Sequence, residues 1–257
     1  MRCWPRGPTR FTGLHGVAFF GIVEIAANVL EMKDWYVNAT DCTGSTALMW
    51  AARIGHEEVV KLLLERDGVY PDQEYSHSGQ TALSWAAENR HSGVVKMLLE
   101  REDVNPNHRD HFYGRTPLSL AAENGDSGVV KMLLERVDVS PDQRDIWYGR
   151  TPLAWAAEMG HSGVVKMLLQ REDVNLNHID NWHGQTPLSL AARYGHLGVV
   201  EMLLEREDIN PDQADTRFDR RPLTWAAVNR HLGVVEVLLK RGTSIPTWQT
   251  PDQPSRS

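Results

Sequence analysis

A short string, GxTxLxxAA, recurs along the chain at a fixed step of 35 residues, and no other feature restricts the fold as much. It begins at Gly44 (GSTALMWAA), Gly79 (GQTALSWAA), Gly114 (GRTPLSLAA), Gly149 (GRTPLAWAA) and Gly184 (GQTPLSLAA), with a degenerate copy, DRRPLTWAA, at Asp219. An earlier, divergent copy starts at Thr12 (TGLHGVAFFG). A second block follows each string: HEEVVKLLLER from His56, HSGVVKMLLER from His91, DSGVVKMLLER from Asp126, HSGVVKMLLQR from His161, HLGVVEMLLER from His196 and HLGVVEVLLKR from His231. Gly114–Arg136 and Gly149–Arg171 agree at 18 of 23 positions. Such self-similarity marks an architecture in which each unit buries its apolar face only on its neighbours.

Each copy has a physical reading. Thr116 stands where a helix N-cap belongs, and Pro117, with no N–H to lose, takes the first helical position. Leu118, Ala121 and Ala122 give a short helix one apolar face, and the paired alanines let a neighbouring helix approach closely. Gly125 ends that helix in the left-handed conformation. A second helix is expected over Ser127–Arg136, with Val129, Val130, Leu133 and Leu134 inward. Asp138-Val-Ser-Pro-Asp142 is turn chemistry, and a short extended finger leads to Gly149.

These residues resemble the ankyrin repeat family. Its pattern TPLHxAAxxGHxxVVxLLL is matched by TPLSLAAENGDSGVVKMLL, Thr116–Leu134, and nearly as well by Thr151–Leu169 and Thr186–Leu204. The resemblance covers roughly Phe11 to Gly242 and implies an all-α solenoid of helix-turn-helix-finger units, about seven repeats of 35 residues. The repeats run over 11–43, 44–78, 79–113, 114–148, 149–183, 184–218 and 219–242, between a short basic leader, 1–10, and a Pro/Ser/Thr-rich tail, 243–257, expected to be disordered. The near-identity of the copies also resembles long fungal ankyrin arrays.

Three departures from the family pattern matter. The family histidine survives only as His15, being Met49, Ser84, Ser119, Ala154, Ser189 and Thr224 in later copies, so a link between repeats is expected to be weakened. The 35-residue unit exceeds the usual 33, and the extra length falls in the finger. The ends are apolar: Val17, Phe19, Ile22, Val23 and Ile25 in the first copy, Val234, Val235, Val237, Leu238 and Leu239 in the last. Since arrays need polar caps, either the array continues or something covers its ends.

A net charge of −7 argues against nucleic acid as a partner. The two cysteines, Cys3 and Cys42, form neither a metal spacing nor a disulfide framework, which suits a cytoplasmic or nuclear protein and not a secreted one. Leu14–Leu30 follows Arg2, Arg6 and Arg10 in the manner of a signal peptide, but it is too short and polar to span a membrane, and the repeat explains it better. No P-loop, HExxH or GxSxG is present. His108-Arg109-Asp110 spells a kinase catalytic triplet without its companions, and the sequon Asn38-Ala-Thr40 has no meaning in the cytosol. His56, His91, His161, His196 and His231 recur once per repeat, roughly 8–10 Å apart, too far for ligands of one metal ion. No enzyme activity, cofactor or metal is expected.

The informative positions vary while the frame stays constant. Finger tips read His77-Ser78, Phe112-Tyr113, Trp147-Tyr148, Trp182-His183 and Arg217-Phe218, giving one column of Phe112, Trp147 and Trp182 and another of Tyr113, Tyr148, His183 and Phe218. Exposed aromatics in a row suit a binding hot spot; equally, they suit fingers propped tip against tip. Side chains alternate along extended chain, so one column can be structural and the other free. The family resemblance implies a second set of partner contacts. These are the ends of the first helices (Glu88-Asn89, Glu123-Asn124, Glu158-Met159, Arg193-Tyr194, Val228-Asn229) and the residue after each finger glycine (Gln80, Arg115, Arg150, Gln185, Arg220). The expected function is a monomeric protein-binding scaffold with an unidentified protein partner and no membrane role. The second reading is the detached C-terminal recognition arm of a larger fungal NACHT/STAND-type sensor.

The turn between helices carries glycine at Gly55, Gly125, Gly160 and Gly195 but arginine at Arg90 and Arg230. The unbroken frame predicts left-handed arginines, with glycine stabilising in their place; the alternative gives that conformation to Asn89 and Asn229.

Overall fold

The structure, a computed structural model, describes residues 12–31 and 36–242. The first helices of the seven units are α1 (Gly13–Phe20), α3 (Ala47–Ile54), α5 (Ala82–Glu88), α7 (Pro117–Asn124), α9 (Pro152–Met159), α11 (Pro187–Tyr194) and α13 (Pro222–Val228). Their second helices are α2 (Val23–Glu31), α4 (Glu57–Leu64), α6 (Ser92–Leu99), α8 (Ser127–Glu135), α10 (Ser162–Leu169), α12 (Leu197–Leu204) and α14 (Leu232–Lys240). First helices pack on first helices and second on second, so two rows run the length of the solenoid. No strand forms among the described residues, where the one extended pairing is a bridge between Thr40 and Thr46. Phe11, the leader and the tail lie outside the described residues.

The caps follow the sequence reading. Thr116 Oγ1 accepts from the Ser119 N–H at 3.2 Å, and Thr46, Thr81, Thr151 and Thr186 repeat the bond. Arg221, in the place of threonine, caps nothing with its side chain. The alanine pairs 51–52, 86–87, 121–122, 156–157 and 191–192 are wholly buried between first helices. The valine pairs 59–60, 94–95, 129–130, 164–165 and 199–200 fill the space between the rows. Val17 joins the core, whereas Phe19, Ile22, Val23 and Ile25 are exposed at one end, as are Leu232 and Leu239 at the other.

Apolar stacking alone leaves register loose; three periodic polar links set it. In the first, a turn histidine reaches back to the preceding first helix: His161 Nε2 meets the Glu123 carbonyl at 2.9 Å, and His56, His91, His196 and His231 do likewise. In the second, an arginine closing the second helix grips an aspartate two residues on and donates to the preceding second helix. Arg136 holds Asp138 at 2.6 Å and the Leu99 carbonyl at 3.2 Å, and Arg101, Arg171 and Arg206 repeat it. These guanidiniums hold the Asp103, Asp138 and Asp173 carboxyls below the usual carboxylate range. In the third, a side-chain oxygen accepts from a backbone N–H of the next repeat: Asn38 from Tyr70, Asp72 from Asn105, Asn107 from Ser140, Asp142 from Asn175 and Asn177 from Asn210, at 2.7–2.9 Å.

The expected weakening at the lost family histidine is rerouted. His15 Nε2 lies 3.0 Å from the Ala39 and Ser45 carbonyls, while Ser84, Ser119 and Ser189 reach only their own capping threonine. A finger histidine restores a bridge in alternate repeats: His108 Nε2 meets the Gly79 carbonyl at 2.8 Å and His178 Nε2 meets Gly149 at 2.9 Å.

The turn arginines are left-handed, with φ 64° at Arg90 and 63° at Arg230. Space, as well as φ, decides where glycine is needed. A Cβ on Gly125 would come within 2.5 Å of the His161 ring of the next turn. The turn after Arg90 carries Asp126 instead of histidine, and no described turn follows Arg230. Arg90 also donates to the Asn124 carbonyl, so glycine there would trade relief of backbone strain against a lost bond between repeats.

Two predictions follow from these links. Asp126→His should be strongly coupled to position 90, because an imidazole at 126 needs the space that the Arg90 Cβ fills. Denaturant melts of a double-mutant cycle should give the Asp126→His/Arg90→Gly protein at least about 1 kcal/mol more stability than the single variants sum to. Additive effects would show that the ring and the Cβ do not compete. The second concerns the third link. Asp72 Oδ1 and Asp142 Oδ1 are buried without a hydrogen-bond partner, whereas Asn107 and Asn177 use their amides to bond the Asp138 and Asp208 carbonyls. Burial pushes both carboxyls up, against the opposing bonds from the Asn105 and Asn175 N–H groups. Asp72→Asn and Asp142→Asn should each add about 1 kcal/mol at neutral pH by capturing the equivalent carbonyl. A raised folded-state pKa leaves an aspartate harmless below its unfolded pKa and costly as pH rises through the folded value. The gain should therefore shrink on acidification through the carboxylate range; a gain that is constant with pH, or a loss, would contradict this.

Candidate partner-binding groove

The fingers fold over the row of first helices, and the cleft between them gathers the varying positions. Four of the tips are clamped by a buried aspartate, and the His77-Ser78 finger carries Tyr75 in its place. Asp145 accepts from the N–H groups of Tyr148 at 2.6 Å, Gly149 at 3.2 Å and Arg150 at 3.2 Å. Asp110, Asp180 and Asp215 clamp their own tips in the same way. Tips are also joined through the backbone: Ile146 N–H donates to Tyr113 O, and Asn181 N–H to Tyr148 O, both at 2.6 Å. Sequence reasoning missed these clamps, although their 35-residue spacing was a visible signal. The finger is thus a hydrogen-bonded hairpin loop whose aromatic side chains sit on a rigid mount.

Most ring contacts between the tips of the two aromatic columns cross from one column to the other. The rings pair diagonally, Tyr113 with Trp147 at 6.5 Å between ring centroids and Tyr148 with Trp182 at 5.9 Å. Trp182 also meets His183 at 5.7 Å, and His183 stacks on Phe218 at 5.6 Å. Exposure does not divide cleanly by column, since Tyr113 and Phe218 are nearly as exposed as Phe112. Tyr148 and Phe218 turn inward onto Trp155 and Trp225 of their own first helices. Trp147 and Trp182 project outward, 66% and 54% exposed, with Phe112 beside them; Trp147 Nε1 donates to the Phe112 carbonyl at 2.7 Å.

The floor of the groove carries tryptophans that the candidate residues did not include. Trp85, Trp155 and Trp225 occupy every second first helix, with Leu120 and Leu190 between them. The Trp155 and Trp225 indoles donate to the clamp aspartates Asp145 and Asp215, and Trp50 to Asp41. Guanidiniums lie against these rings. Arg53 covers Trp85 at 4.2 Å; Arg115 and Arg150 each lie 4.7 Å from Trp155. Arg193 and Arg220 lie 4.6 and 4.8 Å from Trp225. Cation–π contact of this kind stiffens an arginine and leaves its N–H edge free to bond.

The remaining candidates divide by burial. Arg115 pairs with Glu123 at 2.5 Å, and burial pushes the Glu123 carboxyl up against the pull of that arginine. Arg150 pairs with Glu158 and with buried Asp180, so its side chain is drawn out of solvent. Gln185 is 0% exposed and accepts from Arg193 Nη1 at 2.9 Å. As direct contacts for a partner, Arg150 and Gln185 are therefore corrected: internal ion pairs and hydrogen bonds hold them inside. Asn124 is tied back to the Glu88 carbonyl at 2.9 Å. Met159 and Tyr194 stay exposed on the groove, and the Tyr194 hydroxyl bonds to Glu158, which together with burial pushes its pKa up. Burial and the neighbouring Arg193 and Arg217 push the His183 pKa down. Among the described residues no helix is long and apolar enough to cross a membrane, and no group of three or more metal-ligating side chains converges.

With this geometry in view, comparison with known proteins is direct. The family model for ankyrin repeats matches the chain in three copies, over residues 14–110, 99–180 and 173–247. Among solved structures, the chain is similar to the human ASB11 ankyrin repeat domain, at 25% identity and a TM-score of 0.73, covering 92% of this chain and 100% of that one. It is likewise similar to the ankyrin repeat domain of Bcl-3, a member of the IkappaB protein family, at 26% identity and a TM-score of 0.74, covering 89% and 98%. Among curated proteins none matches the sequence.

Proposed function

The chain belongs to the ankyrin repeat family, and on that premise we propose that it is a non-enzymatic scaffold that grips a protein partner between its finger tips and its first helices. One observation carries this reading: Trp147 and Trp182 are more than half exposed yet held in place, by diagonal ring contacts and by fingers clamped through Asp145 and Asp180. Large exposed rings with little freedom left to lose are what binding hot spots require, because the ordering cost is met during folding. Phe112, Tyr113, Met159 and Tyr194 extend the apolar surface along the groove, and Arg115, Glu123 and Arg193 supply its polar contacts. The buried Arg150–Glu158–Asp180 network stiffens the floor and leaves recognition to its neighbours.

The test separates binding from support. Peptides selected from a displayed random library against the folded array serve as probes. Trp147→Ala and Trp182→Ala should each weaken the selected peptides by about 2 kcal/mol, roughly thirtyfold, while thermal melts move little. Tyr148→Ala should behave oppositely, losing stability first, because its ring is wedged among Trp155, Trp182 and Arg150. Unchanged affinity with a large fall in melting temperature for the tryptophan variants would make the outer column structural and remove this function.

A further inference from the structure

The groove repeats one arrangement two units apart, with a difference. At Trp155, arginines lie against the indole from its own repeat (Arg150) and from the one before (Arg115), and each is neutralised by a carboxylate eight residues on, Glu158 and Glu123. At Trp225 two arginines again approach the ring just as closely, Arg220 at the position of Arg150 and Arg193 at the position of Glu123, with Gln185 where Arg115 stood. Here the carboxylates are missing. Position 228, eight residues after Arg220, is Val228, 55% exposed, and the partner of Arg193 is the neutral Gln185. Arg217 adds a third cation over Phe218, at 5.4 Å. Among the described residues no carboxylate lies within ion-pair distance of any of the three.

We propose that the Trp225 end of the groove is a carboxylate-binding site, and that it takes an acidic segment of the protein partner. The proposal deepens the groove reading above and rests on it. The chain itself displays the ligand chemistry, since two repeats earlier Glu158, at the position of Val228, pairs with Arg150. A guanidinium laid on a ring has lost most of its rotamer freedom and still presents a planar donor edge, the geometry that suits a carboxylate. Gln185 supports the site from below: its Oε1 is used by Arg193, while its Nε2, fully buried, has no acceptor. The setting adds contrast, because a cationic cluster on a chain of net charge −7 gives an acidic segment a place to dock and a direction along the groove.

The experiment uses the full chain and the peptides selected for groove binding. They should be rich in Asp and Glu, and their Asn/Gln counterparts should bind at least about tenfold more weakly. Arg193→Gln/Arg220→Gln should cost a similar factor, whereas Lys96→Gln/Lys166→Gln, an equal charge loss on the second helices, should cost little. Val228→Glu provides a variant that removes no arginine: the new carboxylate should pair with Arg220 as Glu158 pairs with Arg150, and should weaken acidic peptides with no loss of melting temperature. Peptides that depend on Trp147 and Trp182 but tolerate both Arg193→Gln/Arg220→Gln and Val228→Glu would overturn the carboxylate site and leave the groove reading intact. Equal losses in the lysine control would reduce the effect to net charge and overturn it too. Peptides indifferent to every one of these changes, or a library that yields none, would remove both.

Discussion

The structure depends on contacts between residues about one repeat apart, made mostly to backbone carbonyls and N–H groups. No unit can bury its own alanine and valine faces, so the apolar surface drives stacking without setting register. Register comes from directional bonds at fixed offsets: turn histidine to the preceding first helix, arginine to the preceding second helix, Asn or Asp to the next repeat's N–H. Burying a polar backbone group without a partner costs more than a bond gains, so a slipped unit would forfeit several links at once. The same links constrain the local backbone. Glycine is required at turn and finger where the next repeat's side chain occupies the Cβ space, as His161 does at Gly125 and Asn181 at Gly149. Of the non-glycine residues with positive φ, Arg90 is followed one repeat on by Asp126 in place of histidine, and no described repeat follows Asp219 and Arg230.

The groove inherits its rigidity from this frame. The clamp aspartates set the finger tips, the tips carry the outer aromatic rings, and the inner rings rest on tryptophans that bond back to the same aspartates. A partner approaching Trp147 or Trp182 therefore meets side chains already fixed, and the floor varies in charge along its length. Its middle is self-neutralised around Trp155, while its Trp225 end presents Arg193, Arg217 and Arg220. A surface of this kind distinguishes partners by where their charges fall along it as much as by their apolar anchors.

Much of the fold was legible because one-letter periodicity reports packing. The threonine caps, the Leu/Ala and Val/Leu faces and even the left-handed Arg90 could be read from Thr116–Leu134 and its copies. What escaped was pairing between repeats. Arg150 and Gln185 occupy positions that face partners in the family, but whether a side chain there is free depends on what stands eight residues on and one repeat away, and at these two positions those neighbours draw it inward. The finger columns were read as tips packed side by side; Tyr113–Trp147 and Tyr148–Trp182 instead cross between columns, while His183 on Phe218 stays within one. From Trp85 on, the alternation of Trp with Leu at the groove floor, like that of Asn with Asp in the ladder, has a period of two repeats, hidden beneath the stronger single-repeat signal.

If links between neighbours set the stability, protection against native-state hydrogen exchange must be graded along the array. The last described unit has one neighbour, no side-chain cap at Arg221 and strained residues at Asp219 and Arg230. Residue-resolved exchange should be fastest in Arg221–Arg241 and slowest in α9–α10, where all three links operate on both sides. Slowest exchange in Arg221–Arg241, or one common rate for every helix, would contradict the account.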